Sequence, residues 1–171
     1  MTEKKISGAG LRGQSAGETK LCTVGQSGSG LTYCGYDVAD LAENSTFEEV
    51  AYLLFNGQLP NQVQLDAYKS ELKTMRDLPS AVKAVLKLIP KEAHPMDVMR
   101  TGCSILGNIE PENNFSEQKN AANRLLAAFP AIMCYWYKFS HDGIEIDCMT
   151  DEDSLGGHFL RLLNQEEPSE Q

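Results

Sequence analysis

The 171-residue chain is short of the residues that do most chemistry. It has three histidines, one tryptophan and five cysteines. The cysteines (Cys22, Cys34, Cys103, Cys134 and Cys148) are odd in number, widely spaced and include no C-x-x-C pair. That pattern suits reduced thiols in a cytoplasmic protein better than a disulfide framework or a zinc site. Positive charge is scarce as well: 15 Lys and Arg stand against 24 Asp and Glu, for a net charge of −9. Phosphate backbones need basic partners, so no nucleic acid is expected, and a helix-turn-helix DNA binder is disfavoured. An anionic membrane surface is disfavoured on the same ground. No apolar run approaches the ~18 residues of a membrane-spanning helix. The start, Met1-Thr2-Glu3-Lys4-Lys5, leads into no apolar signal-peptide core. His94, His141 and His158 lie on different segments without helix-spaced partners, so no metal site is expected. No serine sits in a nucleophile elbow, and no cysteine has a histidine near it in sequence.

What is present reads as one helical core. Hydrophobic residues make up 42% and charged residues 23%, and 171 residues are enough for a sizeable single domain. Residues 1–18 are polar and glycine-rich and read as a flexible arm, leaving 19–171 as the domain. Gly8-Ala9-Gly10-Leu11-Arg12-Gly13 matches G-x-G-x-x-G, but no buried strand precedes it and no helix follows, so it is not a dinucleotide fingerprint. Leu21–Val24 and Leu31–Cys34 are β-prone runs around the glycine-rich stretch 25–30, which predicts one small hairpin.

From Asp37 onward the periodicity is helical. Asp37 can cap a short helix. Thr46-Phe47-Glu48-Glu49 is a capping box, with Phe47, Val50, Ala51 and Leu54 as the expected buried face. Gly57 and Pro60 end that helix. Asn61 starts the next, with Leu65, Tyr68, Leu72 and Met75 apolar, and Pro79 opens another carrying Val82, Val85, Leu86 and Ile89. Pro95 fits a first helical position and Asp97 the first turn, where the helix dipole favours a carboxylate. Met96, Met99, Cys103 and Leu106 predict that helix's apolar face. Ser116 is expected to cap the longest helix, through about Ser140, with Pro130 inside it and Ala122, Leu125, Phe129, Met133 and Trp136 buried. Ile144–Asp147 reads as extended. A last helix carries Leu155, Phe159, Leu162 and Leu163, its first turn made acidic by Asp151, Glu152 and Asp153. The fold class expected from this pattern is all-α with one hairpin.

Several of these segments carry a resemblance. His94-Pro95-Met96-Asp97 through Thr101-Gly102 is similar to the His-Pro-Met segment of the citrate synthase family. Tyr33-Cys34-Gly35-Tyr36-Asp37-Val38, Phe47–Leu54, Gly57-Gln58-Leu59-Pro60 and Leu78-Pro79 follow the same family's spacing. Tyr135-Trp136-Tyr137 and Gly156-Gly157-His158-Phe159-Leu160 resemble its 2-methylcitrate synthase branch. Cys34 departs from the Arg usual there. The resemblance implies the N-terminal half of a multi-helical large domain, in a homodimeric enzyme. That enzyme condenses propionyl-CoA or acetyl-CoA with oxaloacetate, giving 2-methylcitrate or citrate. No cofactor is implied beyond the coenzyme A thioester, which is a substrate.

The resemblance also implies an Asp base, two histidines and carboxylate-binding arginines, but none of the catalytic motifs occurs in these 171 residues. No catalytic residue is therefore assigned. Arg76, before Leu78-Pro79, is the one residue the resemblance offers as an oxaloacetate ligand; the residues alone read it as a charge at a helix C-terminus. A different class stays open: a helical interaction module that pairs with a full-length subunit.

Overall fold

The computed structural model describes residues 17–25 and 30–169. Residues 1–16 of the expected arm, with its G-x-G-x-x-G run, and most of the glycine stretch lie outside them. The chain divides into two compact units, one ending at Ser45 and the other beginning at Thr46.

The first unit holds a small antiparallel sheet in the order β1 (Cys22–Val24), β2 (Leu31–Tyr33) and β3 (Tyr36–Asp37). Cys22 stands opposite Tyr33, and Tyr33 opposite Tyr36. The third strand was not expected. It exists because Cys34 and Gly35 form a two-residue turn with φ of 49° and 93°. Positive φ at both central positions matches the right-handed twist of the flanking strands. Asp37 then accepts from the Ala39 N–H at 2.8 Å and caps α1 (Val38–Asn44), as its sequence position predicts.

The second unit is helical: α2 (Phe47–Asn56), α3 (Gln62–Thr74), α4 (Ser80–Lys87), α5 (Pro95–Ile109), α6 (Gln118–Tyr137) and α7 (Leu155–Asn164). Thr46 and Glu49 form the expected capping box, and Asn61 forms a second one with Gln64. Gly57, in the left-handed conformation at φ 76°, ends α2. Pro95 is the first residue of α5. Its core joins α4, α5, α6 and α7 through Val82, Leu86, Val98, Leu106, Ala131, Ile132 and Leu162. Burying each such Leu or Ile is worth roughly 1.5–3 kcal/mol. A second cluster joins α2, α3 and α6 through Ala51, Tyr68, Leu72 and Ala127.

Three expected faces are met only in part: Ala51, Leu106 and Trp136 are buried as expected, but their neighbours differ. In α5 the buried stripe is Val98, Gly102 and Leu106, while Met96 is 67% exposed. Gly102 lets α5 and α6 approach closely, since a Cβ there would lie 2.4 Å from Ile132 Cγ2. In α6 the buried side includes Asn123, Ala127, Ala128 and Ala131, and Phe129 points outward. Asn123 is inside because its Oδ1 accepts from the Tyr68 hydroxyl at 3.0 Å. In α2 Phe47 is 59% exposed and Glu48 is buried. Two boundaries also differ. Ser116 does not cap α6; Asn114 accepts from the Ser116 N–H and starts a 3₁₀ turn, Phe115–Glu117, ahead of the helix. The far end finishes as a π-helical turn, Lys138–Asp142, closed by Gly143 at φ 71°. Ile144–Asp147 forms no strand.

Candidate functional site

A network of long-range polar contacts surrounds the start of α7. Arg76 follows α3, whose last residue is Thr74, and its side chain is 1% exposed. It does not lie along the end of α3. Its Nη1 donates to the carbonyls of Thr150 at 3.0 Å and Glu152 at 2.7 Å, and Nη2 donates to that of Ser154 at 3.5 Å. A guanidinium suits this task because its donors form a rigid fork, which a lysine lacks. Burial pushes the Arg76 pKa down, and Glu48 and Glu152 pull it back up.

Glu48, 2% exposed, reaches the same place from α2. Its Oε1 accepts from the Leu155 N–H at 2.7 Å, one of the unsatisfied donors at the N-terminus of α7. Ser154 caps the same end by accepting from the Gly157 N–H at 2.9 Å. Asp151, Glu152 and Asp153 precede this cap, so they are not the acidic first turn expected from the sequence. Asp153 pairs instead with Lys73, at 2.6 Å, and Lys73 also donates to the Asp151 carbonyl. The segment 150–155 is thus held from α2, from α3 and from Arg76. None of these long-range contacts has a spacing signal, because each partner is about 75 or more residues away.

The histidines occupy three separate environments. His94 caps α5, its Nδ1 accepting from the Met96 N–H at 3.2 Å. His141 stacks on Tyr137, with ring centroids 4.3 Å apart, in the π-helical turn. His158 is fully buried in α7, with Nδ1 3.0 Å from the Thr150 hydroxyl. Burial and the neighbouring Arg76 push its pKa down to about 4. No two of them meet, so no acid–base pair forms from them.

Cys134 and Cys148 are buried, and burial pushes both thiols up to about 12. Among the described residues no group of three or more His, Cys, Asp or Glu could hold a metal ion. Among them, no helix is long and apolar enough to cross a membrane. The second unit also carries an open apolar groove of about 510 Å³. It is lined by Phe47, Met99, Phe129, Pro130, Met133 and Phe159, among others.

Comparison with known proteins gives one answer. Residues 10–171 match the family described as citrate synthase, C-terminal domain. The chain is 69% identical to a 2-methylcitrate synthase of Shewanella oneidensis over 166 residues, 97% of this chain and 44% of that protein. It is 44% identical to a citrate synthase-related protein of Dictyostelium discoideum, over 86% of this chain and 35% of that one. The crystal structure of citrate synthase from Thermotoga maritima superposes with a TM-score of 0.79 at 30% identity, covering 95% of this chain and 43% of that one. A Thermoplasma acidophilum citrate synthase, in ternary complex with carboxymethyl coenzyme A and oxaloacetate, shares the fold at a TM-score of 0.82 and 21% identity. The chain therefore spans less than half the length of the relatives it matches, and it belongs to the citrate synthase family.

Proposed function

We propose that these residues serve as part of the large helical domain of a 2-methylcitrate synthase, an acyltransferase condensing propionyl-CoA with oxaloacetate. The observation that carries this reading is the 69% identity to the Shewanella protein across 97% of the chain. Residues 19–171 are read as one partial domain. The 34% identity to a Haloferax volcanii citrate synthase is what keeps acetyl-CoA and citrate as the second reading.

The contribution of these residues is a frame. The reaction needs a base beside the thioester, a proton donor and cationic clamps for two anionic substrates. The histidines described above form no such set. Arg76 is read as a structural clamp on 150–154 and not as an oxaloacetate ligand, since its Nη atoms are engaged by backbone carbonyls. No cofactor is proposed, and coenzyme A enters as a substrate thioester. The partner proposed for the apolar groove on α5, α6 and α7 is a second copy, which would make the assembled enzyme a homodimer. The odd, unclustered cysteines favour a cytoplasmic setting.

The test is a chimera in which these residues replace the matching segment of the Shewanella 2-methylcitrate synthase. It is expected to sediment as a dimer and to condense propionyl-CoA with oxaloacetate within about tenfold of the parent rate, a barrier change of ~1.4 kcal/mol. A folded chimera without condensing activity contradicts the proposal. Preference for acetyl-CoA, against a parent preferring propionyl-CoA, favours the second reading.

A further inference from the structure

The Thr150 hydroxyl is the centre of a small, half-buried relay. Its Oγ1 accepts from Arg76 Nη1 and from the Glu152 N–H, both at 3.4 Å. A hydroxyl has two acceptor positions and one proton. With both positions approached by donors, the Thr150 proton is left for His158 Nδ1, 3.0 Å away. His158 must then accept at Nδ1, which makes it neutral with its proton on Nε2. That Nε2 is buried and has no partner, so the ring is held through Nδ1 alone.

We propose that His158 is an acid-sensitive latch on the segment 150–155, whose protonation frees that segment from Arg76 and from the start of α7. A protonated ring turns Nδ1 into a donor aimed at an oxygen that already receives two. It also puts a second cation beside the Arg76 guanidinium, and both side chains are buried. The charge acting on the ring comes from Arg76, while Glu48, Asp151, Glu152 and Asp153 act on Arg76. Lys73 lies on the outer side, paired with Asp153. On the α6 side the polar neighbour of α7 is Cys134, whose thiol donates to the Phe159 carbonyl. None of these groups offers the imidazolium an acceptor. Opening costs the segment its bonds to Arg76, the bond from Leu155 to Glu48 and the Lys73 contacts together, so the segment is released as a unit.

The sign follows from the ring. Its pKa is about 4 when buried, against an ordinary 6.5. The latch is therefore fully fastened above pH 6.5. It weakens as pH falls through that value toward 4, because the open state takes up the proton first. The gap corresponds to about a tenfold rise in the opening constant per pH unit.

Amide hydrogen exchange, corrected for intrinsic rates and read between pH 7 and 4, tests this on the full chain. Amides of Leu155, Gly157 and His158 are expected to be less protected than those of α5 at pH 7. Their protection is expected to fall about tenfold per unit below pH 6.5. In His158→Asn, whose carbonyl can still accept from Thr150 and cannot titrate, the fall in this range is expected to vanish. That variant separates the ring from the four carboxylates around Arg76. If it does not fold, the onset in the wild type decides: a fall that begins near pH 6.5 belongs to the ring, and one confined below about pH 4.5 belongs to the carboxylates and overturns the latch. Protection of these amides that is flat with pH, or equal to that of α5 at every pH, overturns the latch.

Discussion

At the scale of single residues, burial decides which polar groups matter, and it does so against expectation in two places. Arg76 is a surface-type residue in a segment rich in charge, yet it is among the largest fully buried side chains. Three backbone carbonyls from the segment before α7 satisfy its Nη donors, and no carboxylate does. Glu48 is its counterpart: a carboxylate buried because it completes a distant helix start. Removing either leaves buried partners without hydrogen bonds, which costs more than the bond itself. Arg76→Ala is expected to lower stability in urea unfolding by at least about 3 kcal/mol. Arg76→Lys should recover little, because a point charge cannot span the carbonyls that the fork spans. In the chimera, Arg76→Lys should leave KM for oxaloacetate unchanged; a large rise in KM at unaltered stability would restore the role of substrate ligand.

At the scale of elements, the helices were legible wherever the chain signals its own ends. Thr46 with Glu49, Asn61, Pro95 and Gly57 sit where local hydrogen bonding and backbone preference put them, and the structure keeps each boundary. Thr46→Ala is expected to cost α2 about 1 kcal/mol, measured as a shift of the unfolding midpoint. A change within error would mean that tertiary packing alone holds that end. Faces were less legible than ends. In α5 the methionines suggested one stripe and Gly102 decided another, because close approach to Ile132 demands a residue without Cβ. Hydropathy does not record that demand. In α6 Asn123 is inside because Tyr68, 55 residues away, bonds to it. The third strand was missed because a Cys-Gly pair is not among the usual hairpin turns, and Cys34 carries a positive φ as a non-glycine residue. The clamp around α7 was illegible for the same reason as Asn123: every one of its long contacts joins segments that only the finished fold brings together.

At the scale of the whole molecule, the chain combines the fold of the citrate synthase family with three histidines in separate environments. The core of α4, α5, α6 and α7 is buried, and the segment into α7 is pinned from several sides. Such a frame is the kind of support from which substrate-binding groups are positioned. The frame itself presents an apolar groove and three histidines that never meet. As proposed above, residues 1–171 supply a frame and carry no complete condensing site. The most direct measurement is release of free thiol by the purified 171-residue chain, incubated with oxaloacetate and either propionyl-CoA or acetyl-CoA. No release above the enzyme-free rate is expected with either thioester. Turnover above that rate, proportional to the concentration of the chain and free of host enzyme, would contradict the account and require a reactive site within these residues.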